Sequence, residues 1–311
     1  KSNRDRCAHQ GQGDRAPVAK AGPQQRDESG RHRRVQAQRA RVIERCRPEG
    51  TDQRAQIPQH VDGDAGGPEV SMMILDHYDY TANHTALARF FPIVSLTLDF
   101  FRQHYTKRDA DGRMVIWPTQ ALEKYKCATM PQQAGAVWQP PNASNCIEND
   151  TPTVVALHVL LERVLRLPMD AVPAGTITEA MRRAWRQLQA ILPPVPVQAG
   201  SVESVLPYGS YPANYNETVN RNGYETPEMF PVHPYRFFSI GRERLGVRRP
   251  RAPAVNCLLH VAGTPEVCKN AQTNFGWTQL PMTSALLGNA ALAQRAVLER
   301  AMAGSAMGYR F

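Results

Sequence analysis

Apolar residues between Val70 and Tyr105 recur on a helical beat. Leu87, Phe91, Val94, Leu98, Phe101 and Tyr105 follow one another at alternating steps of four and three, one face of a long helix. Pro92 falls inside that run and predicts a kink or a restart. Asp109-Ala-Asp-Gly112 reads as a turn, and Met114-Val-Ile-Trp117 then leads into a long polar loop with Pro131, Pro140 and Pro141. Helical pattern returns at Thr151-Pro152, an N-cap followed by proline at the first helical position. Val154, Leu157, Leu161 and Val164 form its buried stripe, and Pro168 stops it. Thr176-Ile-Thr-Glu179 fits a capping box ahead of Met181, Trp185, Leu188 and Leu192, and Pro193-Pro194 closes that helix. Residues 195–227 read as loop. Two last helices, over about Thr278–Leu287 and Ala290–Ala303, flank Gly288-Asn289. Strand-like alternation is scarce, so the pattern predicts an all-α fold of helical hairpins joined by long loops.

Composition changes this picture at one end. Residues 1–60 hold 14 Lys and Arg against 7 Asp and Glu, so +7 of the net charge of +9 sits there and the rest is near neutral. This stretch has nine Gln and no Leu, Met, Phe, Tyr or Trp, too little apolar surface to offset ordering entropy. Residues 1–66 read as a disordered or mistranslated basic leader, and 67–311 as the folded domain. The alternative is a basic arm that binds polyanions, although no aromatic residues are interleaved with the charges. The leader lacks the apolar core of a signal peptide. No apolar run is long enough for a membrane helix.

Cys127, Cys146, Cys257 and Cys268 fall as two local pairs with no CxxC spacing, so a zinc site is not expected. Disulfides 127–146 and 257–268 are plausible if the protein is secreted. Sequons at Asn83, Asn142 and Asn216, with a weaker one at Asn149 ahead of Pro152, lean the same way. Neither a cofactor nor a metal is expected, since no glycine-rich phosphate loop, GxSxG elbow or HExxH occurs.

Three clusters carry candidate chemistry. In Trp117-Pro-Thr-Gln120-Ala-Leu-Glu123, apolar neighbours would desolvate Glu123 and raise its pKa, as a general acid requires. The competing reading is a surface glutamate that begins a helix. Glu225-Thr-Pro-Glu228-Met-Phe-Pro-Val-His233-Pro-Tyr-Arg236-Phe-Phe gathers carboxylates, imidazole, guanidinium and aromatics, a set that suits sugar stacking and hydroxyl recognition. It equally fits a buried aromatic turn. Phe275-Gly-Trp277-Thr-Gln279 places a Trp and an amide at a helix start, facing either a cleft or the core.

Leu75-Asp-His-Tyr-Asp-Tyr-Thr81, His104-Tyr105 and Asp111-Gly-Arg-Met-Val-Ile-Trp-Pro-Thr-Gln-Ala-Leu-Glu123 resemble six-hairpin glycosidases, nearest to the family 95 α-L-fucosidases. Asn149-Asp-Thr-Pro152, Glu228–Arg236 and Gly276-Trp-Thr-Gln279 with Ala285-Leu-Leu-Gly288 continue the match in order over about residues 67–311. The resemblance implies a partial (α/α)6 toroid and glycosidic-bond hydrolysis. It implies Glu123 as the acid protonating the leaving oxygen, although Leu122 stands where the family has proline. Trp117, Gln120, Glu228, His233, Arg236, Trp277 and Gln279 are the implied substrate-binding residues, and an oligo- or polysaccharide is the implied partner.

The family's water-activating Asn motif and its partner aspartate have no counterpart here. About six or seven helices are legible against the twelve of a closed toroid, which predicts a fragment with exposed apolar helix faces. Two readings stand: a glycosidase with Glu123 as acid, and a catalytically incomplete carbohydrate-binding or structural remnant. A third, nucleic-acid binding through residues 1–60, predicts strong salt dependence. A secretory location is expected.

Overall fold

The first helical hairpin forms where the sequence interrupts its own pattern at Ala82-Asn83. In a computed structural model, residues 66–122, 125, 127, 146–211, 225–244, 251–274 and 278–302 are described. Helix α1 (Gly66–Thr81) and helix α2 (His84–His104) meet there. Ala82 adopts the left-handed region (φ 50°), and the Asn83 side chain accepts from the Ala86 amide at 2.9 Å, capping α2. Leu87, Phe91, Val94, Leu98 and Phe101 are all buried, as their spacing requires. The restart is not at Pro92: α2 runs through it. The Pro92 ring lies on the exposed side, where water can serve the carbonyl that loses its donor.

Helix α3 (Thr151–Arg166) is the central element, with twelve of its sixteen residues buried rather than a single stripe. Its N-cap is Asp150, not Thr151. The Asp150 carboxylate accepts from the Thr153 amide at 2.9 Å, while the Thr151 hydroxyl is drawn away to donate to the Leu206 carbonyl. Helix α4 (Glu179–Ile191) likewise starts later than its sequence signature. Thr178, not Thr176, accepts from the Met181 amide at 3.2 Å. Trp185 of α4 packs edge-on against Phe91 of α2, ring centres 6.1 Å apart. Arg182 crosses from α4 and donates to the carbonyls of Leu165 and Leu167, closing the C-terminal end of α3.

Two short antiparallel pairs, three of whose four strands lie after α4, form where the sequence reading gives only loop. Strand β1 (Glu148–Asp150) pairs with β4 (Tyr208–Ser210), Asp150 opposite Tyr208. Strand β2 (Val197–Gln198) pairs with β3 (Ser204–Val205). Short helix α5 (Ile240–Arg244) is followed by α6 (Ala252–Leu259), which the Cys257–Cys268 disulfide ties to a 3-10 turn over Glu266–Gln272. Helices α7 (Leu280–Leu286) and α8 (Ala290–Met302) form the final hairpin, turning at Gly288 (φ 88°). The described residues are mostly helical, as the hydrophobic pattern requires.

Two apolar clusters fill the interior. One joins α1 to α4; the other joins Ala121, Tyr125 and Ile147 to Met229, Val232, α6 and α7. Outside them, Phe90, Ile93, Leu96 and Phe100 leave an apolar stripe of α2 exposed, with Leu96 at 68%. The leader, apart from Gly66, lies outside the described residues, as do Glu123, Phe275, Gly276, Trp277, Ala303 and the sequons at Asn142 and Asn216.

Candidate functional site

Proline spacing winds residues 225–238 into successive turns instead of a helix. Pro227–Met229 forms a 3-10 turn closed by the Met229 amide on the Thr226 carbonyl at 2.8 Å. The amides of Val232 and His233 both donate to the Met229 carbonyl. The winding sends side chains in opposed directions: Glu228, Met229, Val232 and Tyr235 are buried, His233 is half-buried and Arg236 is exposed.

His233 faces a cavity of about 210 Å³. Glu225, Thr226, Met229 and Phe230 from the same segment line it, with Leu122 from the loop before it and Gln279 and Thr283 from α7 and its start. This volume lies below the roughly 300–1,000 Å³ of drug-sized ligand sites, so it suits one small ring. Burial pulls the His233 pKa below its ordinary value, the Arg236 charge adds to that, and the Gln279 amide partly offsets it. Burial therefore favours the neutral form of the ring. Among the described residues, His233 Nδ1 and Gln279 Oε1 lack hydrogen-bond partners at bonding geometry. Both atoms are buried, and the two side chains interact with each other at the cavity wall.

The loop that brings Leu122 to this cavity is fastened from below. Ile116 N donates to Asn149 Oδ1 at 2.8 Å, and Asn149 N returns a bond to the Ile116 carbonyl. Thr119 Oγ1 donates to Asp150 Oδ2 at 2.6 Å, and the Cys127–Cys146 disulfide closes the loop beyond. Leu122 and Tyr125 both hold left-handed backbone, φ 60° and 48°. Complete burial pushes the Asp150 pKa up to about 6, against the opposing pull of its hydrogen bonds from Thr119 and Thr153.

The structure brings together two of the residues expected to bind substrate, His233 and Gln279. Glu228 is fully buried and does not line the cavity. Trp117 lies under the Lys107 ammonium at 5.4 Å, beside the Lys107–Glu148 ion pair, and neither it nor half-buried Gln120 lines the cavity. Arg236 lines a separate groove. Glu225, Thr226 and Phe230 fall within the aromatic segment that the sequence marks as a candidate cluster, although none of them is named there as a binding residue; Thr283 and the buried Asp150 carry no such signal.

Among the described residues no group of His, Cys, Asp and Glu could hold a metal ion, and no helix is long and apolar enough to cross a membrane. No family model matches the chain, and no curated protein proved similar to it.

Proposed function

We propose that this chain is a glycoside hydrolase-like protein of the six-hairpin type that takes one sugar ring in the cavity between His233 and Gln279. The observation that carries this reading is the cavity itself: a small pocket with an aromatic wall, Phe230, and neutral hydrogen-bonding groups from Thr226, His233, Gln279 and Thr283. Sugars are recognised by such a mixture of ring contact and hydroxyl bonding. Glu123 follows Leu122 directly in the chain and is the proposed general acid, donating its proton to the leaving glycosidic oxygen. Glu225 is the carboxylate among the described lining residues, and it is the proposed partner that the reaction needs to activate water or to attack carbon.

The helical hairpins would be part of an (α/α)6 toroid. The exposed stripe Phe90, Ile93, Leu96 and Phe100 supports that architecture, because further hairpins would cover it. The two disulfides support passage through a secretory compartment.

The test is hydrolysis of aryl glycosides, α-L-fucosides first, by the chain and by Glu123→Gln and Glu225→Gln. Hydrolysis lost in both variants, with sugar binding retained, supports the assignment. Binding without turnover in the unsubstituted chain selects the remnant reading instead.

A further inference from the structure

A second recess, of about 420 Å³, lies where α1 and α3 meet the segment 234–242, and no role has been given to it above. Its charges are unevenly committed. At one end Arg163 is held between Asp76 at 2.7 Å and Asp79 at 2.8 Å. At the other, Glu162 Oε1 alone serves both Arg166 and Arg242. Arg236 also lines the recess, with no side-chain hydrogen bond or ion pair among the described residues. In all, four guanidinium groups and three carboxylates line the recess, an excess of one positive charge.

Arg242 gives the recess a fixed cationic edge. It is 8% exposed, bonded through Nη1 to Glu162 and through Nε to the Arg236 carbonyl at 3.2 Å, which leaves Nη2 uncommitted. A guanidinium so held loses little freedom on meeting an anion, and its geometry matches a carboxylate. Arg236 would supply the second donor set, and Tyr78 in the lining gives apolar surface for a ring.

We propose that this recess binds a carboxylate-bearing saccharide unit, a uronic acid residue, with Arg236 and Arg242 gripping the carboxylate. The inference rests on the saccharide reading above, and it extends that reading to an acidic substrate or a charged branch. The recess volume falls within the range of sites that bury a whole small ligand.

Calorimetric titration of the 311-residue chain with galacturonate and glucuronate, with galactose and acetate as comparison arms, tests it. The expected result is uronate binding at least tenfold tighter than either comparison compound. Arg236→Ala should weaken it tenfold or more without moving the thermal unfolding midpoint, and Arg236→Lys should restore part of the loss. Uronate binding unaffected by Arg236→Ala, or acetate binding as tight as uronate, overturns the proposal. Uronate binding absent while neutral-sugar binding remains sensitive to His233→Ala refutes this site alone; absence of both refutes the reading on which it rests.

Discussion

Thr119 Oγ1 donates to Asp150 Oδ2 at 2.6 Å, joining the loop that approaches the cavity to the N-cap of the central helix. One carboxylate therefore serves two elements. Its burial is complete, so its charge is held at a cost in stability, and its pKa rises from 3.8 to about 6.

A raised carboxylate pKa means that the folded state binds more protons than the unfolded chain between the two values. Stability should then fall as pH rises from about 4 through about 6, by roughly 3 kcal/mol in all. Asp150→Asn keeps an N-cap side chain and removes this titration. Thermal unfolding from pH 4 to 7 should show a smaller decline for Asp150→Asn than for the unsubstituted chain. Asp150→Ala, which also strips the cap, should cost about 1–2 kcal/mol further.

Arg182 is 7% exposed, and its guanidinium satisfies the carbonyls of Leu165 and Leu167 at the end of α3. Arg182→Ala leaves those acceptors buried without donors and opens a void beside Trp185's helix. A loss of about 3 kcal/mol is expected, read as a shift in the denaturant midpoint.

Cys257 and Cys268, 11 residues apart, close a loop that pins the Glu266–Gln272 turn to α6. Loop-closure entropy for that length gives about 3 kcal/mol. Replacing both with Ser should lower stability by that order, and reductant should then have a smaller effect on the unfolding curve than it has on the unsubstituted chain.

How much of this was legible in the sequence differs by element. The face from Leu87 to Phe101 was readable because a three-four repeat leaves a helix one way to bury itself. The local Cys pairs were readable as candidates, since short spacing limits the partners each can reach. Caps were misplaced by one or two residues: several Thr and Asp side chains stood within reach, and tertiary contacts such as Thr151 with Leu206 chose among them. Of the candidate site, His233 and Gln279 were both singled out, yet their meeting depends on packing between residues far apart in the chain. Asp150 went unnoticed because burial, not residue type, sets its chemistry.

Leu96 and Phe100 stand on the exposed stripe of α2. Leu96→Glu should leave the unfolding free energy within about 0.5 kcal/mol of that of the unsubstituted chain, read by denaturant titration.

His233 contributes to the cavity as a neutral ring, because burial lowers its pKa. Sugar binding should be level across neutral pH and weaken only on the acid side, where the ring takes up a proton and one acceptor is lost. His233→Ala should weaken binding about fivefold to tenfold at pH 7.

The most direct measurement is the turnover of aryl glycosides by the chain beside Glu123→Gln, with neutral-sugar affinity followed in both. A general acid contributes about 10²–10⁴ in rate, so the account predicts a fall of at least a hundredfold in kcat with affinity kept. Equal rates in the two proteins would contradict it.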